Sequence, residues 1–352
     1  MMFWVTYRQF RASLLGALGV VALVAVVTAG TSLVLWNSPY AGTYGTFFSC
    51  FGTDSTICAA QTALTGTTLL TIALPSLIGL FVGVTVFSRD IERGTHVLSL
   101  SQSVGRVRWY FSRVLVVFVP IILAMLVHGL VFSWTRLPDS SGFWTISGGT
   151  GRSRFDYPIF ETEALMPAAY TAVALMIGST CALLLRNTIG AMVLTLVATV
   201  GLSVLLSTTV RQHYATPLVE SQPIGDLVQS GEFVSYGPAS RWSIDQNYVD
   251  VDGNVVDIDY ALCAEDESFW NEMQQRPEET YADWERRSDA LNQEQIVRYN
   301  QCIERQGADR FEIEYFEDRS FWRFQSTEAA LALLVSALAC AGSLFLVRRL
   351  RP

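Results

Sequence analysis

The chain has 352 residues, 51% of them hydrophobic, with 24 basic side chains against 32 acidic ones and a formal net charge of −8. That composition, with a positive mean hydropathy, excludes an ordinary soluble enzyme and points to an integral membrane protein. Every basic residue is arginine, which rules out a Walker A lysine, a Schiff-base lysine and a Ser-Lys dyad, so nucleotide-driven work would need another subunit.

Residues 1–12 set Phe3, Trp4, Tyr7 and Phe10 beside Arg8 and Arg11, a pattern suited to an interfacial helix in the headgroup layer. The apolar run that follows, 14–36, is too long for the core of a signal peptide and long enough to cross a bilayer. A Gly-, Ser- and Thr-rich loop with Cys50 and Cys58 leads to a second span over 66–87, which carries Pro75 and the pair Gly79 and Gly83. Gly-x-x-x-Gly lets helix backbones approach closely, and packing within the chain is favoured here over a dimer contact. Residues 89–109 form a charged island between apolar runs: Arg89, Arg93, Arg106 and Arg108, with Arg113 just beyond, face only Asp90 and Glu92. Gly94-Thr95 can end one short helix and cap the next. Val97, Leu98 and Leu100 offer the second helix an apolar face.

A third span is expected over 110–134, with Pro120 and His128 inside it. An ionisable residue there is either a functional group or a neutral histidine bonded to a neighbouring helix, and the sequence favours neither. After a second loop, spans over 166–185 and 189–209 form a tight hairpin around Arg186-Asn187, and a sixth covers 329–347. Glu161, Glu163 and Glu328 precede or open spans, where carboxylates complement helix dipoles, with substrate contact as the lesser reading. The pieces on one side hold Arg8, Arg11, Arg89, Arg93, Arg106, Arg108, Arg113, Arg186, Arg348, Arg349 and Arg351, with Asp90 and Glu92 as their only acids. By the positive-inside rule that side, with both termini, is cytoplasmic.

Residues 211–325 are too long for a connection and hold 24 acids against 10 arginines. Asp252-Gly253 between valines reads as a β-hairpin over 247–259, 268–306 as helix broken at Pro277, and 310–315 as a strand. The whole is a small α+β extracellular domain. Cys50, Cys58, Cys263 and Cys302 all fall outside, where disulfides persist. Of the three pairings, Cys50–Cys58 and Cys263–Cys302 are preferred over a zinc site, since His213 is the only outer histidine. Asp250, Asp252, Asp257 and Asp259 do not match an EF-hand loop and read as a solvated hairpin. No catalytic motif, metal set or nucleic-acid patch emerges.

The run FSRDIERGT, then LSLSQSVGR, then Trp109 and Arg113, resembles the first cytoplasmic loop of ABC type-2 exporter permeases. The opening WVTYRQFRA and the closing RSFWRFQSTEAA are similar to a group typical of high-GC Gram-positive bacteria. In the family the turn of this loop often carries proline, where this chain has Gln102-Ser103. The resemblance implies a membrane all-α subunit: an interfacial helix over 1–12, five spans within 13–210 with a coupling loop at 88–109, the outer domain at 211–325, and a sixth span with a basic tail at 326–352. It implies that Glu92, Arg93, Gly94, Thr95, His96, Arg106 and Arg108 contact or frame an ATP-binding subunit, with Trp109 and Arg113 as anchors. This chain would bind no cofactor, ATP and Mg sitting on the partner, and it would pair with a second copy or a homologous permease among membrane lipids. Export of an amphiphilic or hydrophobic substrate is the expected function. A signalling protein whose acidic domain binds an extracellular ligand is the alternative.

Overall fold

One crossing of a bilayer core takes roughly 20 apolar residues, and among the described residues six helical stretches meet that by length and composition: Phe3–Leu35, Cys58–Glu92, Arg106–Thr135, Met166–Leu185, Thr188–His213 and Asp318–Arg348. They are called the first to sixth spans below. The computed structural model describes residues 2–37, 56–94, 105–135, 153–235, 241–264 and 267–349. It divides into two units, Met1–Ala215 with Asp318–Pro352, and Thr216–Glu317.

Several boundaries differ from expectation. The first helix runs unbroken over Met2–Trp36, so the interfacial helix expected over 1–12 is not a separate element. No glycine or proline stands between Arg11 and Leu14 to interrupt the backbone ladder. The second span joins an α-helix Thr56–Ile78, a π-helical turn Gly79–Val84 and a helix Thr85–Glu92. The third has the same construction, Arg106–Arg113, Val114–Phe118 and Val119–Thr135. In the fifth, Thr188–Leu205 passes into a π-helical Leu206–Val210 and a 3-10 turn Arg211–His213. The last helix begins at Phe321, so Glu328 lies inside it rather than at its start and cannot serve as a cap.

The fourth span is the hub, buried along most of its length against the second, third, fifth and sixth. Its small residues make that possible. A Cβ on Gly79 would come within 2.8 Å of the Ala174 carbonyl oxygen, one on Gly83 within 3.0 Å of the Leu175 oxygen, and one on Gly178 within 2.7 Å of the Gly79 oxygen. Polar side chains add interhelical bonds, as where Thr180 donates to the Ala339 carbonyl (2.9 Å) and Ser179 meets Ser343 (3.1 Å). Leu15, Leu23, Val26, Val193, Val197 and Leu338 point outward and exposed, as acyl chains require.

The second unit is α+β. Four antiparallel strands lie in the order β1 (Leu218–Pro223), β4 (Arg310–Phe316), β2 (Trp242–Val249), β3 (Val255–Val256). The alternation read in 310–315 is real: Phe311, Ile313 and Tyr315 are buried and join Ile224, Tyr248, Ile258 and Ile303 in one core. The expected hairpin turns at Gly253, whose φ of +85° suits glycine. The Asp250 carboxylate there accepts from the backbone N–H groups of Asp252 (2.9 Å) and Asn254 (2.8 Å). Asn254 holds the Asp250 carboxyl below its ordinary value. Helices Glu267–Met273 and Tyr281–Arg305 flank Pro277. A disulfide joins Cys263 to Cys302, with Cα atoms 5.6 Å apart. Cys50 lies outside the described residues, and with it the expected bridge to Cys58.

Candidate functional site

Two clusters of buried charge mark opposite ends of the helical unit. The first closes the base of the charged island. Gly94, at φ +69°, ends the second span with its N–H on the Ile91 carbonyl (3.2 Å). Gly105 in extended conformation opens the third. Arg113, 3% exposed, forms an ion pair with the buried Asp90 and donates through Nη1 to the Val86 carbonyl (2.6 Å). Its guanidinium stacks 4.0 Å over Trp109 and lies 5.2 Å from Phe10 and 5.6 Å from Phe87. Gln9 Nε2 reaches Asp90 Oδ1 at 3.5 Å. Three spans thus meet on one salt bridge. Breaking such a buried pair from one side costs about 3–5 kcal/mol.

The exposed Glu92 is engaged within the chain: its Oε1 accepts from the backbone N–H of Thr188 (2.7 Å). Asn187 Oδ1 accepts from Ile189 (3.0 Å) and Gly190 (3.3 Å), so both residues cap the fifth span. Arg93, Gly94 and Arg108 are exposed. Arg106 Nε and Trp109 Nε1 are buried with no hydrogen-bond partner among the described residues. Thr95 and His96, with the expected second helix of the loop, lie outside the described residues. Asp90 was readable as an acid of the island but not as the partner of Arg113, which stands 23 positions away.

The second cluster has no counterpart in the sequence reading. Arg211, at the end of the fifth span, donates through Nη2 to Glu161 Oε1 (2.6 Å) and Glu328 Oε1 (2.9 Å), and through Nε to Glu328 Oε2 (3.0 Å). Its Nη1 reaches the Phe155 carbonyl (3.2 Å), and it lies 3.8 Å over the Phe160 ring. The Tyr170 hydroxyl donates to Glu328 Oε1 (2.5 Å). Nearby, Arg154 donates to the fully buried Glu163 (3.0 Å) and stacks 3.9 Å over Phe321. Glu161, Glu163 and Glu328, read from sequence as helix-dipole acids, are instead ion-pair partners. Burial pushes the Glu161 carboxyl up, against the opposing pull of Arg211.

His128 sits inside the bundle, 1% exposed. Its Nε2 lies 2.8 Å from Thr71 Oγ1, whose own proton goes to the Thr67 carbonyl (2.7 Å). Nε2 therefore carries the hydrogen, and Nδ1 has no partner among the described residues. The structure brings Gly79 and Gly83 together with the fourth span, against Ala174 and Leu175.

Comparison with known proteins adds the family. The model of the family described as ABC-2 membrane transporter related matches residues 15–211, which include Asp90, Arg113, Glu161 and Arg211. No curated protein matches the chain, and no solved structure does. The matched stretch is more than half of the 352 residues and takes in the second, third and fourth spans whole and most of the first and fifth. The chain therefore belongs to the ABC-2 membrane transporter related family, as a multi-pass transmembrane subunit of an ABC transporter.

Proposed function

We propose that this subunit is the permease of an ATP-driven exporter that moves an amphiphilic or hydrophobic substrate outward. A separate ATP-binding subunit docks on the loop between the second and third spans and supplies the work. The observation that carries the reading is the Asp90–Arg113 bridge under that loop, stacked on Trp109 and Phe10. A load applied to Arg93, Gly94, Arg106 or Arg108 is passed through it to the first three spans together, and through Glu92 to the fifth. Two copies, or one copy and a homologous permease, pair in the cell membrane. Both termini face the cytoplasm and the α+β unit faces outward. The arginine-only composition accords with an actinobacterial source.

The test is a pull-down of the tagged chain co-expressed with the ATP-binding protein encoded beside it. Recovery is expected, and it should fall ~10-fold or more when Arg93→Glu and Arg108→Glu are combined, since both side chains are exposed. Glu92 is the poorer choice because its loss also uncaps the fifth span. Undiminished recovery, or capture of a kinase or anti-sigma factor instead, would refute the reading in favour of a sensor. For topology, an impermeant thiol label should react at Asp226→Cys and not at Ser101→Cys.

A further inference from the structure

The Arg211 cluster is unbalanced. One guanidinium faces two buried carboxylates, and the acceptors are not used equally. Both oxygens of Glu328 are engaged, Oε1 by Arg211 and Tyr170 and Oε2 by Arg211. Glu161 gives only Oε1 to Arg211. Its Oε2, on a side chain 4% exposed, has no hydrogen-bond partner among the described residues. A buried carboxylate oxygen without a partner is a high-energy arrangement unless something else meets it.

That residue lines a cleft of ≈ 390 Å³, its open mouth included, between the second, fourth and fifth spans. The polar lining is Glu161 with the hydroxyls of Thr71, Ser76, Tyr170, Thr199 and Ser203, and the remaining walls are apolar. Hydroxyl oxygens keep lone pairs after donating their one proton, as Thr71 does to the Thr67 carbonyl (2.7 Å) and Thr199 to the Thr195 carbonyl (2.8 Å). Pro75, on the same wall, has no N–H to give the Thr71 carbonyl. The cleft is therefore rich in acceptors, with the unpartnered Glu161 Oε2 among them, and has an apolar surround for a hydrocarbon tail. A group with several N–H donors and a positive charge meets every requirement.

We propose that this cleft is a subsite for the protonated amine of an amphiphile, with Glu161 Oε2 as the acceptor that the ammonium meets and the ring of hydroxyls as its other partners. The proposal rests on the transport reading and names the substrate class, a long-chain primary or secondary amine. The same ammonium chemistry belongs to an aminophospholipid headgroup, so the test separates the two sources.

Purified full-length chain, without any ATP-binding partner, is titrated with dodecylamine in phosphatidylcholine nanodiscs, and binding is read from thermal unfolding. Dodecylamine should raise the transition temperature where dodecanol does not. Glu161→Gln, which keeps an oxygen for Arg211 but removes the charge, should weaken the dodecylamine effect at least ~10-fold. Ser203→Val, which leaves the Arg211 cluster intact, should weaken it several-fold and guards against a folding defect in Glu161→Gln. If phosphatidylethanolamine nanodiscs alone raise the transition of the wild type and not of Glu161→Gln, the ammonium subsite stands and its source is lipid. Equal effects of amine and alcohol, unchanged binding by both variants, or no amine effect with a transition that only follows pH, would overturn the proposal. None of these readings depends on an ATPase, so failure of the transport reading shows separately, in the pull-down.

Discussion

Ion pairs do different work in the two units of this chain. In the helical unit charged side chains are few, and those inside it sit in dry surroundings. Arg211 and Arg113 are 1% and 3% exposed, and each is held by carboxylates, carbonyls and aromatic rings together. In the α+β unit arginines and acids are many and mostly in water. Arg286 pairs with Asp283 (2.5 Å) at side-chain exposures of 79% and 51%, and Arg298 with Glu294 (3.0 Å) at 59% and 64%. The geometry of the contacts is alike, but the energies are not. A buried pair is costly to break because the partner left behind is stranded in a low dielectric, whereas a wet pair is screened and re-solvated when broken. The helical unit adds buried charge to its apolar packing, while the α+β unit adds a disulfide to its own core.

The sharpest way to break that comparison is to remove the two buried guanidiniums. Arg211→Met strands Glu161 and Glu328, and Arg113→Met strands Asp90. Each should lower stability by about 3–5 kcal/mol, with Arg211→Met the worse because two acids lose one partner. Thermal unfolding in micelles measures this, with Arg286→Ala as the wet control at within ~0.5 kcal/mol of wild type. Similar losses at Arg211 and Arg286 would dissolve the distinction.

Next in size is the covalent link of the α+β unit. Cys263→Ser with Cys302→Ala opens a loop of 39 residues and should cost that unit about 2–4 kcal/mol, seen as faster proteolysis within 216–317 while the helical unit resists. Packing follows. Gly79→Val places a Cβ 2.8 Å from the Ala174 carbonyl, and overpacking of this kind costs about 1–3 kcal/mol. Gly66→Val, with open space around it, should be tolerated.

The smallest effect concerns a half-buried pair of the α+β unit. Arg287 holds the Glu279 carboxyl down to about 2, from an ordinary value of 4.5. A carboxyl whose value is lowered by folding stabilises the folded form above its ordinary value, and that contribution fades as pH falls from 4.5 towards about 2. Trp284 donates to the Met273 carbonyl (2.9 Å) beside this pair, so its fluorescence should change over that acidic window in the wild type and lose the acidic phase in Glu279→Gln.

How legible all this was in the sequence follows from range. Six long apolar runs, the Asp252-Gly253 turn and the alternation of Phe311, Ile313 and Tyr315 are local patterns, and the structure keeps each of them. The Cys263–Cys302 bridge was readable because few cysteines were available to pair. What escaped notice spans longer distances. Glu161 and Glu328 stand 50 and 117 positions from Arg211, and nothing in their neighbourhoods marks them as partners rather than helix caps. β1 was missed because none of its residues is buried and they show no apolar alternation, so only its pairing with β4 marks it as a strand. The π-helical turn Gly79–Val84 was missed because it lies where Gly79 and Gly83 press against the fourth span, a contact made far along the chain.

By itself, then, the sequence determined that this chain crosses a membrane, where the crossings fall and which loop carries the positive charge, because hydropathy and charge act residue by residue on partition between water and lipid. The tertiary structure alone decided that the fourth span is the hub, that Asp90 belongs to Arg113, and that Arg211 faces two carboxylates with one oxygen left over. Those outcomes depend on which helices lie side by side, and in a bilayer helix association is governed by close packing and by the pairing of buried polar groups, neither of which leaves a periodic mark on the chain.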